Sequence, residues 1–151
     1  MSYVDKILHP DEAIRYTGRI HWVIYLPGLF VVLLGVIALL AGSFVVPPPY
    51  PQVGGAALIV IGVLQLMGAW FRRWTTELAV TNRRVIYKRG FISRHTIEMN
   101  MDKVESVDVD QTILGRMMGY GNIVVRGTGS GLEPMRDIAD PLTFRNHVTA
   151  G

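Results

Sequence analysis

The chain contains no cysteine. This excludes disulfides, thiolate metal sites and thiol nucleophiles, and it fits a reducing compartment. Charge is missing from two long stretches: Trp22 to Val46 and Val53 to Phe71 carry no Asp, Glu, Lys or Arg. Clustered histidine is missing too. His9, His21, His95 and His147 are scattered, with no HExxH and no pair at metal-ligand spacing on one element. No segment interleaves dense Lys/Arg with stacking aromatics, so nucleic acid is not expected as a partner.

The search for reactive groups returns little. Ser130 sits among glycines, but Thr128 and Leu132 flank it two residues away, so it is not a nucleophile elbow. Asp108 and Asp110 resemble the start of a calcium loop, but Ile113 stands where that loop requires glycine. Gly115, Gly119 and Gly121 do not form a dinucleotide fingerprint. The expectation is therefore a non-enzyme: no catalytic residues, no metal and no cofactor.

What is present is apolar length. Half of the 151 residues are hydrophobic, and the excess is concentrated between Trp22 and Phe71. As a helix, the 22–46 segment measures about 37 Å at roughly 1.5 Å per residue, enough to cross the hydrocarbon core of a bilayer with some tilt. The 53–71 segment is also long enough. Trp22 and Tyr25 at the start of the first run, and Trp70 and Trp74 at the end of the second, suit the headgroup region. Between the two runs, Val46-Pro-Pro-Pro-Tyr-Pro-Gln52 cannot continue a helix, so an antiparallel hairpin is expected. A signal peptide is the poorer reading, because the first run is too long and a structured-looking segment precedes it. A chain this small could hardly bury two such helices on all faces.

The flanks set the orientation. Arg15 and Arg19 precede the first run, Arg72 and Arg73 follow the second, and the connecting turn is uncharged. The positive-inside rule then puts both termini in the cytoplasm and the proline turn outside. The runs carry small-residue stripes at seven-residue spacing: Gly28, Gly35 and Gly42 in the first, Gly55, Gly62 and Ala69 in the second. Such stripes permit close helix packing in lipid, and Gln65 lies near enough to Gly62 to hydrogen-bond across a seam. Periodicity leaves open whether the stripes face each other or another subunit, as in a homo-oligomer.

From Thr75 the period changes to two. Leu78 and Val80 alternate with Glu77 and Ala79; Val85 to Lys88 follows the break at Asn82; His95, Ile97 and Met99 alternate with Arg94, Thr96 and Glu98. Val107 and Val109, then Asn122 to Arg126, then Leu132 to Ile138 give further strands, with a flexible loop at Gly127 to Gly131. Short strands at this spacing read as an antiparallel barrel or sandwich. Thr112 to Met118 reads as a short helix with Ile113, Leu114, Met117 and Met118 on one face. Asp140-Pro141 opens a last helix, whose Phe144 and Val148 suit the cover of an open barrel end. Before the first run, Ile14, Tyr16 and Ile20 alternate with Arg15, Thr17 and Arg19, which suggests a strand pairing with the one that starts at Thr75. The expected domains are thus an N-terminal segment 1–21, a helical hairpin 22–73 and a β-domain 74–151.

Thr76-Glu-Leu-Ala-Val-Thr-Asn-Arg83, Val85-Ile-Tyr-Lys-Arg-Gly90, Val104-Glu-Ser-Val107 and Gly115-Arg-Met-Met-Gly-Tyr-Gly121 follow two apolar helices in this order. The pattern resembles the bacterial pleckstrin-homology (PH) domain membrane proteins over nearly the whole chain from Glu12 onward. The resemblance implies a PH-like fold, a curved antiparallel sheet closed by a C-terminal helix, and implies little about activity.

Seven Lys/Arg lie between Arg72 and Arg94, against one acid, Glu77. They either enforce topology alone or contact lipid or a partner. The expected anionic-headgroup contacts are Arg19, Arg72, Arg73, Lys88 and Arg89, with Arg83 and Arg84 at a distal turn. Two functions follow: a membrane-anchored PH-like interaction module that contacts anionic lipid, itself or another membrane protein, or an accessory subunit of a membrane transporter or protease complex.

Overall fold

A computed structural model of the chain describes residues 7–9, 11–45, 49–90, 95–128 and 134–149. Outside them lie part of the expected proline turn (46–48), Arg94, most of the Gly127–Gly131 loop with Ser130, and the start of the strand expected from Leu132. The chain divides into two units: Met1–His21 with Arg73–Gly151, and Trp22–Arg72.

The helical unit opens with a 3-10 turn, Trp22–Tyr25, followed by α1, Leu26–Val45. Its second helix, α2, runs Tyr50–Thr75. It begins earlier than 53, because Pro51 falls in the first turn, where its missing N–H costs nothing, and the Val53 N–H already bonds to the Pro49 carbonyl at 3.1 Å. It also runs beyond Phe71, carrying Arg72, Arg73 and Trp74 on helical backbone. Trp22–Gly42 and Tyr50–Thr75 are long and apolar enough to cross a membrane, with mean hydropathy 2.8 and 1.9. Leu33, Leu40, Val60, Leu64 and Met67 point away from the partner helix and are exposed.

The two helices touch through glycine. A Cβ on Gly35 would stand 2.8 Å from the Gly55 carbonyl oxygen, and one on Gly55 would stand 2.8 Å from that of Gly35. Gly28 faces Leu66 and the Gly62 carbonyl, Gly62 faces Val32, and Gly42 faces Pro51. The stripes therefore meet within one chain. Gln65 requires a correction: it is exposed, because the seam follows Leu66, the next residue, which packs on Gly28. Ala69 is half-buried.

The β-unit holds two antiparallel sheets. β1 (Ile14–Gly18), β2 (Glu77–Thr81), β3 (Arg84–Arg89) and β4 (His95–Asn100) form one in that order. β5 (Val104–Asp110), β6 (Tyr120–Gly127) and β7 (Met135–Ala139) form the other. Among the described residues no ladder closes them into a barrel. They meet at one bridge, Ile20 to Ile138, flanked by His21 N–H to the Asp137 carbonyl at 2.7 Å and Ala139 N–H to the Arg19 carbonyl at 2.9 Å. β1 pairs with β2 from Gly18↔Leu78 to Ile14↔Thr81, so strands from both sides of the helical segment share a ladder.

Leu78, Val80, Val85, Ile123, Val125 and Ile138 are buried, and α4 (Pro141–Thr149) packs on β1, β2, β5 and β6 with Phe144 and Val148 buried. Full burial of a side chain such as Phe144 contributes about 1.5–3 kcal/mol. Tyr16 of β1 meets the Phe144 ring edge-on at 6.2 Å and stacks on His147 at 4.9 Å. Asp140 precedes this helix as expected, but its φ of 49° is left-handed rather than the extended geometry of a capping residue. Strand alternation understates β2. Ala79 is as buried as Leu78, because Ile7 and Leu8 pack over Ala79 and Ile86 on the opposite face.

Candidate functional site

The β2–β3 ladder has two chemically different ends. At one, Gly18 and Glu77 lie beside the points where the chain leaves for the helices, at His21 and Arg73. At the other lie Thr81, Arg84 and Asn100.

The first end carries a cleft of about 290 Å³, lined by Thr17, Arg19, Arg73, Trp74, Thr76 and Glu77 among others. Arg19 comes from the segment after β1, and Arg73 and Trp74 from the last turn of α2. The ladder between β1 and β2 brings these distant segments together. Arg19 and Arg73 are exposed, and Trp74 is 62% exposed. Two guanidiniums, an indole and threonine hydroxyls line this cleft together with the Glu77 carboxylate and the apolar Ile14 and Ile20.

The other expected contacts divide. Arg89 is exposed at the same end of the sheet. Lys88 lies opposite Glu77 in the ladder, its ammonium 3.8 Å from that carboxylate and its side chain mostly covered, so its charge is balanced locally. Arg72 belongs to the helical unit and is half-buried.

The far end holds a group that sequence reading did not find. Arg84 donates to both oxygens of Glu12, from Nε at 2.9 Å and from an Nη at 2.8 Å, and reaches Glu98 at 2.7 Å and the Ile7 carbonyl at 2.9 Å. The Thr81 hydroxyl lies 2.7 Å from Glu12 and accepts the Arg84 N–H at 3.0 Å. Burial alone would raise the Glu12 carboxyl. Hydrogen bonds from Arg84, Thr81 and the His9 N–H, with the Arg84 charge, outweigh it and hold the group at about 2. The bond to Glu12 raises Arg84 in turn, against the opposing effect of burial, with Glu98 adding to the rise. The Arg84 guanidinium donates to Glu12, Glu98 and the Ile7 carbonyl, so this end reads as a clasp that ties Ile7 and Glu12 to the sheet. Asn82 completes it, accepting the Ala13 N–H at 3.0 Å and donating to the Asp11 carbonyl.

Asp108, weighed as a calcium ligand, pairs with Arg126 at 2.7 Å. Among the described residues no three His, Asp or Glu side chains gather as a metal site.

Compared with known proteins, the chain matches the family described as "Bacterial PH domain" over residues 23–151. No curated protein and no solved structure matches it.

Proposed function

Since this chain belongs to the bacterial PH domain family, we propose that it is a non-enzymatic PH-like module anchored in the bacterial inner membrane, whose cleft contacts anionic lipid headgroups. One observation carries this reading: the cleft joins Arg19 and Arg73 at the end of the β-unit from which both apolar helices depart. If those helices span the bilayer, the residues next to them in the chain stand at headgroup depth. A guanidinium there gains on the order of 1 kcal/mol from an anionic surface, and the gain fades over a Debye length of about 10 Å at 0.1 M salt. Both termini then lie in the cytoplasm.

Trp74 provides the test, because the chain has three tryptophans and two can be removed as Trp22→Phe and Trp70→Phe. In nanodiscs, brominated phosphatidylglycerol is expected to quench Trp74 more than brominated phosphatidylcholine, with the difference shrinking as salt rises. Arg19→Gln with Arg73→Gln abolishes the difference. Equal quenching by both lipids in the parent protein defeats the headgroup reading. A foreign membrane protein recovered in stoichiometric amount in mild detergent supports an accessory subunit of a transporter or protease instead.

A further inference from the structure

The short helix α3, Ile113–Met118, presents its apolar side chains to the outside. Ile113 is 82% exposed, Leu114 63% and Met117 80%, on a six-residue element. A helix of six residues has little stability of its own, yet this one is fixed at each end. The Thr112 hydroxyl accepts the Gly115 N–H at 3.0 Å, and Gly119, at φ 76°, returns its N–H to the Gly115 carbonyl. Gly115 is the buried side of the turn, where a Cβ would stand 2.7 Å from the Tyr120 carbonyl oxygen. The inward face is thus committed to β6, and the apolar residues are held outward.

The position of this helix indicates what covers it. Tyr120, the first residue of β6, stacks its ring on His21 at 5.3 Å. The Gly119 carbonyl accepts the Asp140 N–H at 2.9 Å, next to Ala139, which bonds to Arg19. Trp22, the first residue of the apolar segment, follows His21 directly. α3 therefore sits at the end of the β-unit where the chain departs for the helices, and it is about 9 Å long by helical rise. Arg116, also exposed, lies on the same turn and can rise to phosphate level while its stem stays apolar.

We propose that α3 is an interfacial wedge: Ile113, Leu114 and Met117 enter the boundary between headgroups and acyl chains, and so fix the tilt of the β-unit on the bilayer. The inference rests on the membrane-anchored reading above. Its occupant is lipid, because the surface continues from the point where the chain would meet the bilayer. An apolar face of this kind buries roughly 5–10 Å into the boundary.

The lack of cysteine allows the test in the full chain. Single cysteines at Ile113, Leu114 and Met117, at exposed Leu40 in α1 and at exposed Glu105 near the opposite end of β5 are labelled with nitrobenzoxadiazole. The proteins are reconstituted in phosphatidylethanolamine–phosphatidylglycerol vesicles with or without acyl-chain doxyl lipid. At the three α3 sites, quenching at least about twofold above that at Glu105 is expected, as for side chains at the acyl boundary. Strong quenching at Leu40 with none above the Glu105 level in α3 overturns the wedge and leaves the anchor standing. No quenching at Leu40 overturns both. Blue-shifted α3 labels that lipid quenchers do not reach indicate a protein partner on this face and overturn the wedge.

Discussion

The Arg84 guanidinium holds both carboxylate oxygens of Glu12, at 2.9 and 2.8 Å, across 72 positions of sequence. The Glu12 side chain is fully covered and that of Arg84 only 14% exposed. Removing one partner of such a pair leaves a buried charge uncompensated. Arg84→Ala is expected to destabilise the β-unit by about 3–5 kcal/mol. Arg83→Ala, one residue away but exposed and 4.0 Å from exposed Asp11, should shift stability by less than about 1 kcal/mol. Thermal unfolding followed by circular dichroism in detergent compares the two, and similar losses would show that the pair is not the clasp. The same geometry makes Arg84→Glu a poor probe of lipid contact, since it sets a third acid beside Glu12 and Glu98.

The clasp also sets a pH response. Glu12 is held at about 2 in the fold against an ordinary value of 4.5. A carboxyl lowered by folding stabilises the native state above its unfolded value, and the contribution is lost as pH falls from near 4.5 through 2. The unfolding midpoint should drop across that window. In Glu12→Gln the profile should start lower and run flatter there; a slope equal to the parent's would assign the acid sensitivity to other carboxylates.

The glycine seam predicts a ranking along each helix. Gly35→Ala forces a methyl to 2.8 Å from the Gly55 carbonyl, which cannot swing away, and should cost about 1–3 kcal/mol. Gly28→Ala meets the mobile end of Leu66 first and should cost less. Gly54→Ala and Gly68→Ala meet nothing within 4 Å and should be neutral or gain up to about 1 kcal/mol of helix propensity. Val32 is unsuitable as a control, because its side chain lies against Gly62. Detergent stability of the four alanine variants measures the order, and equal losses would remove the seam.

Topology is read with two further cysteines. Gln52→Cys, near the start of α2, should react with an impermeant thiol reagent in intact cells, and Glu105→Cys on β5 should react only after lysis. The reverse pattern would invert the orientation.

The elements were legible where one face meets water and the other does not. Alternation marks Ile14 to Ile20, Leu78 to Val80 and Val107 to Val109, and each belongs to an element or bridge of the β-unit. It failed at Ala79, buried from the second side by Ile7 and Leu8, a contact that periodicity along β2 cannot register. The spacing of seven identified the glycines that meet. It misassigned Gln65 because residues three and four after Gly62 lie on opposite flanks of the stripe, and only Leu66 is on the seam side. Arg19 and Arg73 stand out in the sequence for nearness to the apolar runs, and the β1–β2 register puts them in one cleft. The clasp was invisible, because which arginine meets Glu12 depends on a strand register fixed only in three dimensions.

The pairing of Gly18 with Leu78 imposes an order of events during synthesis. β1 leaves the ribosome first, and its partner strand follows roughly 60 residues later, after about 3–12 s at typical elongation rates. For that interval β1 lacks its β2 neighbour, and the four-stranded sheet cannot assemble until both helices have been made. If the helices span a bilayer as proposed, a hairpin inserted with one end misdirected would strand β1 away from β2. On that reading the ladder would act as a proofreading step, completed only by chains whose two helices are correctly inserted.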